Sequence, residues 1–140
     1  MTASPLPTIR LKPKIDPLPI RRGAPWVFAD ELVTDRRTKK LKPGDLAVLE
    51  DANRLPLALV SVNLGSKIIA RVLDTDLEAM INAAWIETRM ARALALRERV
   101  YDAPFYRLVH AEADGFPGVI IDRFGAVSYT HLTLPTIYSV

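Results

Sequence analysis

The 140-residue sequence contains no cysteine and only two histidines, His110 and His131. The first absence excludes a disulfide scaffold, a thiolate-bound zinc site and any thiol nucleophile from this chain. The second leaves too few imidazoles for a multi-histidine metal centre. No run approaches the roughly 20 apolar residues that cross a bilayer as a helix. Residues 1–10 lack the apolar segment of a secretory signal. The expectation is a cytoplasmic protein with no membrane and no metal partner. What is present is an ordinary globular balance, 49% hydrophobic and 25% charged. The length fits one domain or two very small units.

The formal net charge of +3 is unevenly spread. Residues 1–74 hold 13 Lys and Arg against 8 Asp and Glu, a net of +5, and residues 75–140 hold 6 against 8, a net of −2. A basic first half fits either an anionic partner, most simply nucleic acid, or an ordinary solvated surface.

The first half reads as β-rich. Residues 8–14 alternate, with Ile9 and Leu11 on one side and Arg10, Lys12 and Lys14 on the other, the period of a half-buried strand with a basic outer face. Residues 16–19, Asp-Pro-Leu-Pro, read as an irregular connector, because proline cannot continue a strand ladder. Trp26, Val27 and Phe28 form a short aromatic strand entered through Gly23, Ala24 and Pro25. Residues 42–45 and 51–54 are turns by composition. Strands follow over residues 46–50, 57–62 and 67–73. Several short strands at close spacing predict a small barrel.

At Thr75 the period changes. Thr75 and Glu78 have the spacing of a capping box, so a helix is expected from about residue 76 to residue 100. Leu77, Met80, Ile81, Ala84, Thr88, Ala91 and Ala95 share its expected apolar face, flanked by Trp85 and Leu96. Ile86 and Met90 lie off it, which fits either a second contact surface or a greasy exposed face. Two strands should follow, over residues 105–111 and 119–121, around a turn at residues 115–118. A third strand is expected after Gly125, but residues 127–136 hold no charge and are rich in threonine. That stretch reads as a break in the fold.

Two segments carry a family resemblance. Residues 21–28, Arg-Arg-Gly-Ala-Pro-Trp-Val-Phe, resemble the entry to the N-terminal PUA domain of bacterial SAM-dependent methyltransferases that modify cytosine C5 in large-subunit ribosomal RNA. Residues 106–125, which include Tyr106, Arg107, Glu112, Asp114, Gly115, Pro117, Gly118, Asp122, Arg123 and Gly125, resemble that family's linker hairpin. The resemblance covers about residues 8–126. It implies an α+β fold, with a small PUA-like mixed β-barrel in residues 1–74 and a helix and β-hairpin linker in residues 75–126. It also implies ribosomal RNA as partner and S-adenosyl-L-methionine as cofactor of the full-length enzymes. The family's Rossmann-like domain, glycine-rich loop and nucleophilic cysteine have no counterpart in this sequence. The expectation is therefore a chain without catalytic residues and without a cofactor of its own, inactive alone. It reads as a fragment truncated before the catalytic domain, with a non-native tail over residues 127–140 that adds nothing to the fold. The alternative is a stand-alone PUA-type RNA-binding module.

Arg10, Lys12, Arg21, Arg22, Arg36, Arg37, Lys39 and Lys40 are the candidate RNA contacts, since cations hold phosphates. Those at residues 36–40 sit between chain breakers and read as an exposed loop. Trp26 reads as a core residue rather than a base-stacking one. Glu112 and Asp114 pair as carboxylates on one strand face, but no nucleophile accompanies them, and Asp114 before Gly115 fits turn chemistry better. His110 reads as a structural histidine. Asp122 and Arg123 pair either with each other or with a further domain.

Overall fold

A computed structural model describes residues 5–132. The chain forms two compact units, one ending at Glu78 and the other beginning at Ala79.

The first unit is a five-stranded mixed sheet of β1 (Thr8–Arg10), β2 (Trp26–Phe28), β3 (Asp45–Glu50), β4 (Pro56–Val62) and β5 (Ile68–Asp74). The strand order is β1-β3-β4-β5-β2. β1 runs parallel to β3 and the other pairs are antiparallel. Register breaks at Val27/Phe28, Leu49/Glu50 and Leu59/Val60 add local bend and twist. The sheet curls into a half-barrel. A single bridge from Leu11 to Leu32 ties the chain leaving β1 to the chain that follows β2, the strand at the other end of the order. Ile9, Leu11, Val27, Leu32, Leu49, Val60 and Val62 fill the interior, each no more than 2% exposed.

Turn chemistry sets the connections. The buried Asp51 carboxylate accepts from the amides of Asn53 and Leu55 at 2.8 and 3.0 Å, and Arg54 takes a positive φ of 65° between them. Residues 16–19 are not an irregular connector: they lead into the one-turn helix α1 (Leu18–Arg21). Proline fits the first turn of a helix, where its missing N–H is not needed.

In the second unit, helix α2 (Ala83–Val100) covers a sheet of β6 (Phe105–His110), β7 (Val119–Phe124) and β8 (Val127–Leu132), antiparallel in that order. Three expectations are corrected here. The helix starts seven residues after Asp76, capped by Asn82, whose side chain accepts from the Trp85 amide at 3.0 Å. Asp74 and Asp76 instead accept from the amides of Asp76 and Glu78, which closes turns rather than opening a helix. The buried face is also rotated. Ala93, with Trp85, Met90 and Leu94, packs on Leu108, Val109, Phe116 and Ile121, while Ala84, Thr88, Ala91 and Ala95 are exposed. The small side chains of the expected stripe bury little apolar area, and the larger Trp85 and Met90 set the phase.

The third correction concerns the tail. The strand that the composition argued against is present: β8 pairs with β7 from Phe124↔Val127 to Val119↔Leu132. Gly125, at φ 63°, makes the tight turn between them. Threonine and aromatics favour a strand, and lack of charge does not forbid one. Ile121 of β7 is buried against Ala93, Leu108, Val109 and Phe116. The remainder of the tail expectation, over residues 133–140, lies outside the described residues.

Candidate nucleic-acid interface

The loop at residues 34–41 is built around two polar side chains. Asp35 Oδ1 accepts from the amides of Arg37 and Thr38 at 2.9 and 3.0 Å, and from the Thr38 hydroxyl at 3.0 Å. Those donors, the Thr38 amide first, hold the Asp35 carboxyl below the usual carboxylate range. Thr38 is buried, and its hydroxyl lies 3.4 Å from the Val33 carbonyl. With this anchor inside, Arg36, Arg37, Lys39 and Lys40 all point outward and are exposed. The loop displays four cations on a short stretch of backbone that Asp35 and Thr38 hold in shape.

The remaining candidates differ in how free their charge is. Arg10 binds Glu50 through Nε and Nη2 at 2.8 and 2.7 Å, with the Glu50 side chain largely buried. Its charge is compensated inside the unit, so it is the weakest of the set. Lys12 is exposed, and its amide donates to the Glu31 carbonyl. The Val33 amide donates to the Arg10 carbonyl, so residues 10–12 run beside residues 31–33, just ahead of the cationic loop. Arg21 approaches Asp51 only at 3.9 Å, and both Arg21 and Arg22 are exposed. Lys67, exposed at the start of β5, belongs with these cations and was not picked out from the sequence. Its signal was weak, a lone lysine between a turn and an apolar strand.

Trp26 is not a core residue. Strand alternation sends Val27 inward, 1% exposed, and leaves Trp26 and Phe28 outside at 38% and 45%. A three-residue strand with a single inward position buries one side chain only, and here that is the valine.

The carboxylates of the second unit are structural. Asp114 takes a bidentate pair of hydrogen bonds from Arg97 at 2.9 and 2.6 Å and a third from the His110 amide at 2.7 Å. Glu112 and Asp114 lie on a 3-10 turn, Ala111–Asp114, rather than on a strand. The His110 side chain is exposed, and its amide is the donor to Asp114. Asp122 and Arg123 do not pair with each other. Arg107 binds Asp122 at 2.8 and 3.2 Å and holds its carboxyl below the usual range, while Arg123 donates to the Tyr106 hydroxyl and the Gly125 carbonyl. Among the described residues no group of three or more His, Cys, Asp or Glu is placed to hold a metal ion, and no helix is long and apolar enough to cross a membrane.

The first unit is thus a small curled mixed sheet that carries a cationic loop and two exposed aromatics. Residues 9–75 match the family model of a PUA-like domain. The chain is homologous to ribosomal RNA large subunit methyltransferases. It is 35% identical over 133 residues to one from Deinococcus radiodurans, covering 89% of this chain and 32% of that protein. It is also 35% identical over 107 residues to ribosomal RNA large subunit methyltransferase I of Cronobacter sakazakii, covering 74% of this chain and 26% of that one. The chain thus spans about a third or less of the curated relatives it matches. In fold it resembles a candidate SAM-dependent methyltransferase from Streptococcus mutans, with a TM-score of 0.74 at 14% identity over 96% of this chain and 35% of the other. A second neighbour, a candidate methyltransferase complexed with SAH, gives a TM-score of 0.71 over 97% of this chain and 34% of its own.

Among the described residues the glycines do not gather into a glycine-rich loop of the kind expected to hold S-adenosyl-L-methionine. Gly23, Gly44 and Gly125 take positive φ in three separate turns, and Gly115 and Gly118 do so within the connection from β6 to β7. A Cβ added at Gly23 or Gly44 would meet nothing within 4 Å, so neither lines a cradle that a cofactor would fill.

Proposed function

We propose that this chain is the N-terminal, RNA-binding portion of a SAM-dependent ribosomal RNA methyltransferase that acts on cytosine C5 in the cytoplasm. Residues 1–74 are the RNA-binding domain and residues 75–126 the linker toward the catalytic part. The observation that carries this reading is the coincidence of a PUA-like domain match over residues 9–75 with an exposed cationic loop inside it. The names of the relatives supply ribosomal RNA as the substrate class. The cytosine-C5 assignment rests on the likeness of residues 106–125 to the linker segment of that group.

The chemistry available to these residues is binding and positioning. Arg36, Arg37, Lys39 and Lys40 neutralise phosphates, and the counterions they displace supply the driving force. Filter binding of the chain to transcribed segments of large-subunit ribosomal RNA should show saturable binding that weakens as salt rises. Absence of binding at low salt would overturn the RNA reading. The reaction is tested separately by nucleoside analysis of ribosomal RNA from cells lacking the gene. Loss of one 5-methylcytidine is expected, and loss of a different methylated nucleoside would refute the C5 assignment.

A further inference from the structure

Trp26 and Phe28 form an outward aromatic pair, with ring centroids 6.4 Å apart and planes at 87°. The backbone under them is fixed. Trp26 lies opposite Arg71, Val27 opposite Ala70 and Phe28 opposite Ile68 on β5, and the Ala29 amide donates to the Lys67 carbonyl at 2.8 Å. Buried Val27 pins the strand from below. β2 ends the strand order, so the rings stand at a sheet edge. Phe28 also walls a surface depression shared with Ile15, Ala29, Asp30, Glu31 and Lys67. The Phe28 amide donates to Glu31 Oε1 at 2.9 Å, which holds that carboxylate on the rim.

We propose that the Trp26–Phe28 pair is a stacking platform for an unpaired base of single-stranded RNA, with Lys67 on a neighbouring phosphate. The inference rests on the RNA-binding reading above and assigns the form of RNA to it. An aromatic face stacks on any exposed base, and a duplex hides its base faces inside the helix. The rings are held in place before the ligand arrives, so little side-chain freedom is lost on binding. Asp30 and Glu31 repel phosphate and can accept from the exocyclic amino groups of bases, so the base rather than the backbone lies on the aromatic pair. Lys67 beside the depression, and exposed Arg21 and Arg22 ahead of β2, favour a polyanion over an apolar protein surface.

The test compares a short single-stranded RNA with the blunt duplex made from it and its complement. Trp26→Ala should weaken single-strand binding about ten- to a hundredfold, the usual effect of losing one stacked base, and leave duplex binding unchanged. Trp26→Phe should restore most of the loss. Single-stranded RNA should quench the tryptophan emission of the parent but not of Trp26→Phe, since Trp85 sits against Phe116 under Arg89 in the other unit. Because Trp26 is exposed, the melting temperature of each variant should match the parent and exclude misfolding as the cause. Equal loss for single strand and duplex, or no loss in either, overturns the platform while leaving the RNA reading intact. A parent dimer that Trp26→Ala dissociates also overturns it, since the pair then faces a second copy of the chain. A parent that binds neither RNA overturns the RNA reading and the platform together.

Discussion

Asp35 shows how one side chain sets the geometry of several others. Its carboxylate accepts three hydrogen bonds and thereby shapes the loop that carries Arg36, Arg37, Lys39 and Lys40. Those bonds depress its folded-state pKa. A depressed carboxyl contributes stability that is complete above its unfolded pKa and lost as pH falls through the folded one. The loop should therefore keep its structure on acidification past the ordinary aspartate range and loosen only below it. An NMR titration of the Asp35 carboxyl carbon should report the lowered midpoint, with the amide shifts of Arg37 and Thr38 following it. Asp35→Asn should abolish that titration. In the other unit, Asp114 is a comparable anchor, with its side chain 7% exposed and Arg97 at 15%. Asp114→Ala would leave the Arg97 guanidinium nearly buried without its carboxylate, at a cost of about 3 kcal/mol. Urea denaturation should show that loss, and a change below about 0.5 kcal/mol would mean that water replaces the pair.

At the scale of elements, the hairpin and its third strand decide whether the second unit holds together. A two-stranded hairpin is marginal in water, whereas three strands under a helix can be independently stable. β8 pairs along the whole of β7, and α2 covers the face that carries Val109 and Ile121. Removing residues 127–140 should therefore lower the melting temperature of the second unit and leave that of the first unchanged. Amide exchange should show Asp122 and Phe124, whose amides face β8, losing protection in the shortened chain. An unchanged melting curve would show that β8 contributes nothing to stability.

For the whole molecule, charge is the property that reaches furthest. Converting Arg36, Arg37, Lys39 and Lys40 to Ala removes four of the 13 basic residues in residues 1–74. Each phosphate neutralised on a single strand contributes about 0.7 to the slope of log affinity against log salt, so the slope should flatten by up to about 3. Binding should weaken uniformly across RNA sequences, because phosphate contacts carry no base information. A slope equal to the parent's would move the contact surface away from this loop.

Much of this was legible in the residues themselves. Alternation marked the strands, because a half-buried strand needs side chains of opposite polarity on its two faces, and turns at residues 42–45 and 51–54 announced themselves through Asp, Asn, Gly and Pro. The cations at residues 36–40 were legible as exposed, since a buried run of that charge is too costly to desolvate. Phase and partner were not legible. Thr75 and Asn82 both had helix-capping chemistry, and the choice between them followed from Asp74 and Asp76 closing turns. The buried face of α2 was set by the volumes of Trp85 and Met90 fitting the sheet below, and β8 by the edge that β7 offered it. Trp26 was assigned to the core on hydrophobicity alone, and the structure turned it outward because Val27 filled the interior position. Composition and period act through neighbours along the chain, so the sequence by itself determined the class of fold and its basic character. Which surface is buried depends on what another part of the chain presents to it, and that was decided only by the tertiary structure.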